Sequence, residues 1–287
     1  MGKYAVIDIG SNSVRLMTLA DGKVLYKTLE TTRLGEGIAV RPVLQKQAIA
    51  RTASAVCAFY ERARSEGAET VFAFATAAVR SAENREEFLS AVEALCPLRV
   101  EVVSGDEEAR LGILGALGAQ DGSIVDVGGA STEITVQKDG KIVYAKSVNV
   151  GVVRLKDGCG RDRTALKSAC RQAVGEFGNV PFVPPVYAIG GTATTLGAVK
   201  TKMREYDGVR LTGTRVTTAE MRTLADRLCT MDEAEIRRLD GMHPKRADVI
   251  GGGAVLLAEL MEALKLPEIL ISDSDNLEGY ARKKGLL

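Results

Sequence analysis

One short pattern occurs twice in this chain, and it limits the available folds more than any other feature. An apolar run, Tyr4–Ile9, carries Asp8, turns through Gly10-Ser11-Asn12-Ser13, and resumes apolar character over Val14–Leu19. A second run, Ser123–Val127, carries Asp126, breaks at Gly128-Gly129, passes Ala130-Ser131-Thr132, and resumes over Glu133–Gln137. The two aspartates lie 118 positions apart (126 less 8). Recurrence at such a distance reads as an internal duplication. Around each copy, strands alternate with helical stretches, the pattern of an α/β domain.

Helical spacing over 43–65 ends at Gly67, and a buried strand, Thr70–Ala75, precedes a helix expected over Glu83–Leu95. After the strand Arg99–Val103, Ser104-Gly-Asp-Glu107 has capping-box spacing and opens a helix to about Ala116. In the second copy, Asp139-Gly140 reads as a hairpin turn, followed by a helix near Arg163–Phe177 and a strand Val186–Ile189. At 287 residues, the chain is long enough for two such domains with a cleft between them.

Bulk properties exclude several classes. A net charge of +1 provides no overall field for nucleic acid or a membrane surface, so any anion site must be local. No segment has the roughly 18 apolar residues of a membrane span, and MGKYAVIDIG lacks a signal-peptide pattern; a cytoplasmic location is expected. The five cysteines are odd in number, widely spaced and without a C-x-x-C pair, which argues against disulfides or zinc and for a reducing compartment. His243 is the single histidine, so a Ser-His-Asp triad is not expected, and it reads as a loop residue.

Three glycine turns follow apolar strands and carry hydroxyl side chains. They are Asp8–Ser13, Asp126–Glu133 and Gly190-Gly-Thr-Ala-Thr-Thr195. Glycine allows successive N–H groups to point at one anion, and Ser or Thr hydroxyls add donors. None is a P-loop or a G-x-G-x-x-G turn. Asp8 and Asp126 stand where carboxylates hold Mg²⁺ beside phosphate, although each also suits a simple turn cap. Arg80, before the expected helix start at Ser81/Glu83, suggests an anion at that end, with a solvated arginine as the alternative. Arg15, inside a strand, needs an anionic partner.

Two glutamates are candidates for chemistry. Glu107 is explained by the capping box, whereas Glu108 shares a helix face with Gly112 and Gly115, a face suited to close backbone approach. From there it is either a general base in a cleft or an exposed helix glutamate. Glu133 follows the second turn closely enough to orient water or metal.

With these residues in view, the chain resembles the exopolyphosphatase/guanosine pentaphosphate phosphohydrolase family of the actin-like ATPase superfamily. The matching segments are AVIDIGSNSVRL (5–16), FATAAVRSAENREEFL (74–89), EVVSGDEEARLG (101–112), IVDVGGASTE (124–133) and AIGGTATTLGAV (188–199). Weaker matches are VGVVRL (150–155), HPKRADVIGGGAVLL (243–257) and SDNLEGY (274–280). The resemblance implies duplicated actin-like (ribonuclease H-like) α/β domains over 1–120 and 121–274, with 275–287 joining the first. Hinges are expected near Gly118–Gly122 and Asp273.

It also implies a hydrolase acting on polyphosphate or guanosine pentaphosphate with Mg²⁺, as a homodimer that binds neither nucleic acid nor membrane. Glu108 would be the general base and Glu133 the second essential carboxylate, and Asp8 and Asp126 would flank the metal. Ser11, Asn12, Ser13, Arg15, Arg80, Gly128, Gly129, Ser131, Gly191 and Thr192 would bind phosphate. A phosphotransferase and a non-catalytic sensor remain the rival readings. Three departures from the family pattern stand out: Ala130 in place of a third glycine, which adds a methyl near the phosphate; Val152 in place of a small hydroxyl residue; and no long C-terminal helical extension.

Overall fold

The strand order of the computed structural model, which describes residues 2–38 and 40–287, repeats as the sequence does. The first half runs β1 (Lys3–Ile9), β2 (Ser13–Ala20), β3 (Lys23–Thr31), α1 (Lys46–Ser65), β4 (Thr70–Ala75), α2 (Ala77–Ser81), α3 (Arg85–Leu95), β5 (Val100–Val102) and α4 (Gly105–Ala116). The second half begins β6 (Gly122–Val127), β7 (Thr132–Lys138), β8 (Lys141–Val148), α5 (Val152–Cys159), α6 (Arg163–Gly175), β9 (Val186–Ile189) and α7 (Gly190–Lys200). It continues through α8 (Gly208–Leu211), β10 (Arg215–Thr217), α9 (Thr218–Thr230), α10 (Glu233–Arg237), α11 (Ile250–Ala263), β11 (Glu268–Ile271) and α12 (Asn276–Lys283).

The first sheet has the order β3-β2-β1-β4-β5 and the second β10-β11-β9-β6-β7-β8. Without the edge strand β10, the second order is the first again, with β6 and β7 standing for β1 and β2. The central strands β1 and β6 pair antiparallel on one edge and parallel on the other, and residues on both of their faces are buried. That burial accounts for their unbroken apolar runs. The fold is thus a duplicated α/β architecture, with two sheets of the same strand order.

Copied registers make the duplication concrete. Asp8 pairs with Arg15, and Asp126 pairs with Glu133 at the equivalent place. Gly10 N–H donates to Ser13 O at 3.0 Å, and Gly128 N–H donates to Ser131 O at 3.0 Å. Asp21-Gly22 and Asp139-Gly140 both turn with positive φ at both residues, the geometry that joins two twisted strands most tightly.

Three expectations are corrected. The helix expected from Val43 begins at Lys46, because the Asn84 side chain ties down both the N–H and the C=O of Leu44 (2.8 and 3.0 Å). The helix expected from Glu83 begins at Arg85, after the separate short helix α2, so Arg80 lies in the last turn of α2 and not at a helix N-terminus. A disulfide joins Cys57 on α1 to Cys96 at the end of α3, contrary to the expectation of none; their Cα atoms are 5.7 Å apart. Spacing along the chain carries no trace of it, because the side-by-side packing of α1 and α3 creates the pair.

Helix α4 carries the site toward the second half. A Cβ built on Gly112 would lie 2.5 Å from Ile124 Cδ1, and one on Gly115 would overlap the backbone of Asp275. Across that contact, a Cβ on Gly279 would overlap the backbone of Leu111, so α4 and α12 cross at the distance glycines permit. Tyr280 of α12 stacks on Phe74 of β4, with ring centroids 4.8 Å apart, which seats the last helix on the first sheet. Among the described residues, no helix is long and apolar enough to cross a membrane.

Candidate active site

Both duplicated turns open into one cleft of about 660 Å³ of empty space between the halves. Its lining includes Asp8, Ser11, Asn12, Ser13, Arg15, Glu108, Asp126, Gly128, Gly129, Ser131, Glu133, Gly191 and Thr192. The turns touch: a Cβ on Gly129 would lie 2.8 Å from Ser11 Cβ, so glycine is what lets the halves close. The third segment, expected as a turn, is helical instead: Gly190–Thr195 forms the first turn and a half of α7, because the glycine pair lets the chain pass straight from β9 into the helix. There Gly190, at φ +75°, faces Asp126 at a distance that leaves 2.5 Å between a built Cβ and Oδ1. Thr192 Oγ1 donates to Val127 O at 2.7 Å and locks the start of α7 to the second turn.

Arg80 is the predicted phosphate residue that does not line the cleft. Its guanidinium donates to Glu108 Oε2 at 2.7 Å and to Val103 O at 3.2 Å. The expected anion is therefore supplied by the protein.

Glu108 is not an exposed helix glutamate, being only 7% accessible. Ser104 accepts from Glu107 N–H at 3.1 Å and fixes the first turn of α4, while the Glu107 side chain reaches Lys283 (2.7 Å). Burial, then the nearby Glu133 charge, raises the Glu108 carboxyl to about 8 against the pull of Arg80. Burial also raises Glu133, which accepts from Ser147 Oγ at 2.6 Å.

The duplication supplies a useful asymmetry. In the first half the partner of Asp8 is Arg15, whose Nε donates to Asp8 Oδ2 at 2.9 Å and which also pairs with Asp275. Burial works against the Arg15 charge, but Asp275 and Asp8 outweigh it and hold the guanidinium firmly charged. In the second half the equivalent partner is Glu133, which meets Asp126 with a like charge. Burial first, then Glu133, Asp275 and Glu108, pushes Asp126 well above the ordinary carboxyl range. Missing positive charge thus collects on the Asp126 side.

Several buried polar atoms in the cleft have no protein partner among the described residues: both ends of the Asn12 amide, Asp8 Oδ1 and Asn276 Oδ1. Buried polar groups left open in this way mark a place where a polar ligand completes the bonding. The donor set suits a hard cation, since carboxylates line the cleft and cysteine and histidine do not. No ready cage of three or more His, Cys, Asp or Glu ligands exists among the described residues. Magnesium needs none, because it is commonly held by one or two carboxylates together with substrate phosphates and water.

Two further residues of the site escaped the sequence reading. Arg246 is 7% accessible, lines the cleft, and has no salt-bridge or side-chain hydrogen-bond partner among the described residues. Asn276 comes from the start of α12. The signal for Arg246 was faint, one of two adjacent basic residues (Lys245-Arg246) shortly before an apolar helix. Ala130 is also clarified: it lines the cleft, yet its side chain belongs to the apolar cluster of the first half and is 1% accessible. Its methyl therefore packs one half against the other. Val152, the other departure, opens α5 and donates its N–H to Gly128 O at 3.0 Å.

Paired turns on duplicated sheets, with carboxylates between them, define a two-sheet α/β protein with a cleft suited to phosphate. The Ppx/GppA phosphatase family model matches residues 6–283, and the chain belongs to that family. It is 34% identical to exopolyphosphatase 2 of Mycobacterium tuberculosis, with 97% of each chain covered. It is 26% identical to the guanosine-5′-triphosphate,3′-diphosphate pyrophosphatase of Aeromonas salmonicida, covering 99% of this chain and 58% of that one. A crystal structure of an exopolyphosphatase-like protein superposes with a TM-score of 0.88 at 28% identity, covering 99% of this chain and 98% of that one.

Proposed function

We propose that the chain is a phosphoanhydride hydrolase that releases the terminal phosphate of inorganic polyphosphate or guanosine pentaphosphate. The observation that carries this reading is Glu108, a buried carboxyl held by Arg80 at the wall of a cleft lined by two glycine turns and the start of α7. Its raised pKa suits a group that must accept a proton near neutral pH. The names of the relatives support both substrates.

In this mechanism the N–H groups and hydroxyls of the turns, with Asn12 and Arg246, grip the terminal phosphates. Glu133 orients a water, and Glu108 takes its proton as the water oxygen bonds to the terminal phosphorus. The bridging P–O bond breaks, and the shortened chain leaves with the electron pair. Turn donors offset the charge that builds on the phosphoryl oxygens. Asp126 and Asp8 would hold Mg²⁺, which would supply charge neutralisation at the phosphates. A homodimer and a cytoplasmic location complete the family-based reading, and light scattering tests the first of these.

The test is phosphate release with Mg²⁺ from polyphosphates of several lengths and from guanosine pentaphosphate, with Glu108→Gln alongside. Loss of about 10²–10⁴-fold is expected from removing a general base. Turnover near that of the unmodified protein in the variant defeats the assignment.

A further inference from the structure

The loop that follows β3, residues 32–38, does not line the catalytic cleft but is bonded to a turn that does. The N–H groups of Thr32 and Arg33 both donate to Asn12 O (3.1 and 2.9 Å), and Gly35 N–H donates to Ser11 O at 2.8 Å. A Cβ on Gly35 would lie 2.9 Å from Ser11 Cβ, so loop and turn are in direct contact. Arg51 of α1 donates its Nε to Thr32 O at 2.6 Å and fixes the loop to the first half.

The same loop reaches the second half twice. Arg33 Nη2 pairs with Asp248 at 2.7 Å, and Gly37 N–H donates to Asp157 Oδ2 at 2.9 Å. The Asp248 side chain is 8% accessible and follows closely on Arg246 of the cleft, whose carbonyl accepts from Val249 N–H at 3.1 Å. Asp157 lies on α5, and the first two residues of that helix, Val152 and Val153, donate their N–H groups to Gly128 O and Gly129 O (3.0 and 2.8 Å). Loop 32–38 thus links the first turn to the second turn and to Arg246. Arg33 itself has a φ of +52°, a left-handed conformation that an arginine holds at a cost and a glycine does not. What arginine adds there is its guanidinium. Asp248 also accepts from Lys156, so losing Arg33 leaves no unpaired buried carboxylate.

We propose that the Arg33–Asp248 pair is a latch that presets the two phosphate turns and Arg246 at their binding distance, with Arg33 as a positioning residue that does not touch substrate. The inference rests on the phosphate-hydrolase reading of the cleft and deepens it. Without the latch, the two halves part more readily, and a phosphate ligand must supply the free energy of closing them. At saturation the ligand itself holds the site closed, so KM rises while kcat holds.

Phosphate release from inorganic tripolyphosphate with Mg²⁺ is measured for unmodified protein, Arg33→Gly, Arg33→Lys and Asp248→Asn. Calorimetric binding of tripolyphosphate is measured for the same substitutions in Glu108→Gln protein, in which turnover is silenced. Arg33→Gly is expected to raise KM and weaken binding about fivefold, the size of one partly exposed ion pair. Its kcat should stay within about twofold and its Tm should be no lower, since glycine relieves the backbone strain. Arg33→Lys keeps the charge and should recover most of the loss. Asp248→Asn removes a negative charge near an anion site, so electrostatics alone would tighten binding, whereas the latch requires it to weaken about fivefold. Unchanged KM and affinity in Arg33→Gly, or tighter binding in Asp248→Asn, overturns the proposal, as does a fall in kcat with KM unmoved. No binding by the Glu108→Gln protein would overturn it as well. Absence of phosphate release by unmodified protein would count against the hydrolase reading, while the binding ratios would still decide the latch.

Discussion

Replacing Glu108 by glutamine removes a charge that the folded protein holds at a cost. Moving a carboxyl from the ordinary 4.5 to about 8 corresponds to roughly 5 kcal/mol of disfavoured ionisation. The sign follows from proton counts. Between those two pH values the folded state binds more protons at this site than the unfolded one, so stability falls as pH rises from about 4.5 and levels off above about 8. Glutamine does not titrate, and its side-chain oxygen still accepts from Arg80. The variant should therefore match the unmodified protein near pH 5 and exceed it at pH 8.5. Relaxation around the site reduces the gain to about 2–3 kcal/mol, or roughly 4–12 °C in Tm for a chain of this size class. Thermal melts without substrate or metal at both pH values provide the assay. Equal Tm values at pH 8.5, or a lower one for the variant, would refute the claim that this carboxylate is held against its preference.

Arg80→Gln should shift the acid limb of kcat/KM to higher pH, because Arg80 is what pulls Glu108 down, and should leave KM nearly unchanged. A large rise in KM with an unmoved pH profile would restore Arg80 as a phosphate ligand. Gly191→Ala displaces the flexible end of Arg246 and not backbone, so KM should rise about tenfold, the value of one charge-assisted contact, with Tm within about 2 °C. Gly115→Ala places its methyl in the Asp275 backbone and should cost about 3 kcal/mol in denaturant unfolding; a loss under 1 kcal/mol would mean the α4–α12 crossing is looser than described. For Ala130→Gly, loss of a buried methyl at the joint between the halves should lower stability by about 1–2 kcal/mol without improving KM, whereas a better KM would show that the methyl obstructs phosphate.

The sequence by itself determined the elements whose causes are local. The turns at Asp8–Ser13 and Asp126–Ser131 were legible because glycine and hydroxyl residues after a buried strand specify a tight turn whatever surrounds it. Their repetition at a fixed spacing disclosed the duplicated sheets, and the glycines of α4 foretold a close approach before their partner was known. Tertiary structure decided everything that depends on who meets whom. Arg80 read as a phosphate ligand until packing set Glu108 against it. Cys57 and Cys96 meet only because α1 lies along α3. Arg246 became part of the site because Gly191 leaves room for it, and Arg33 pairs with Asp248 only because the loop after β3 lies against the segment before α11. A side chain's charge and shape are written at its own position, whereas its solvation and its partner are set by segments distant along the chain, and those determine whether an arginine braces a carboxylate or waits for an anion.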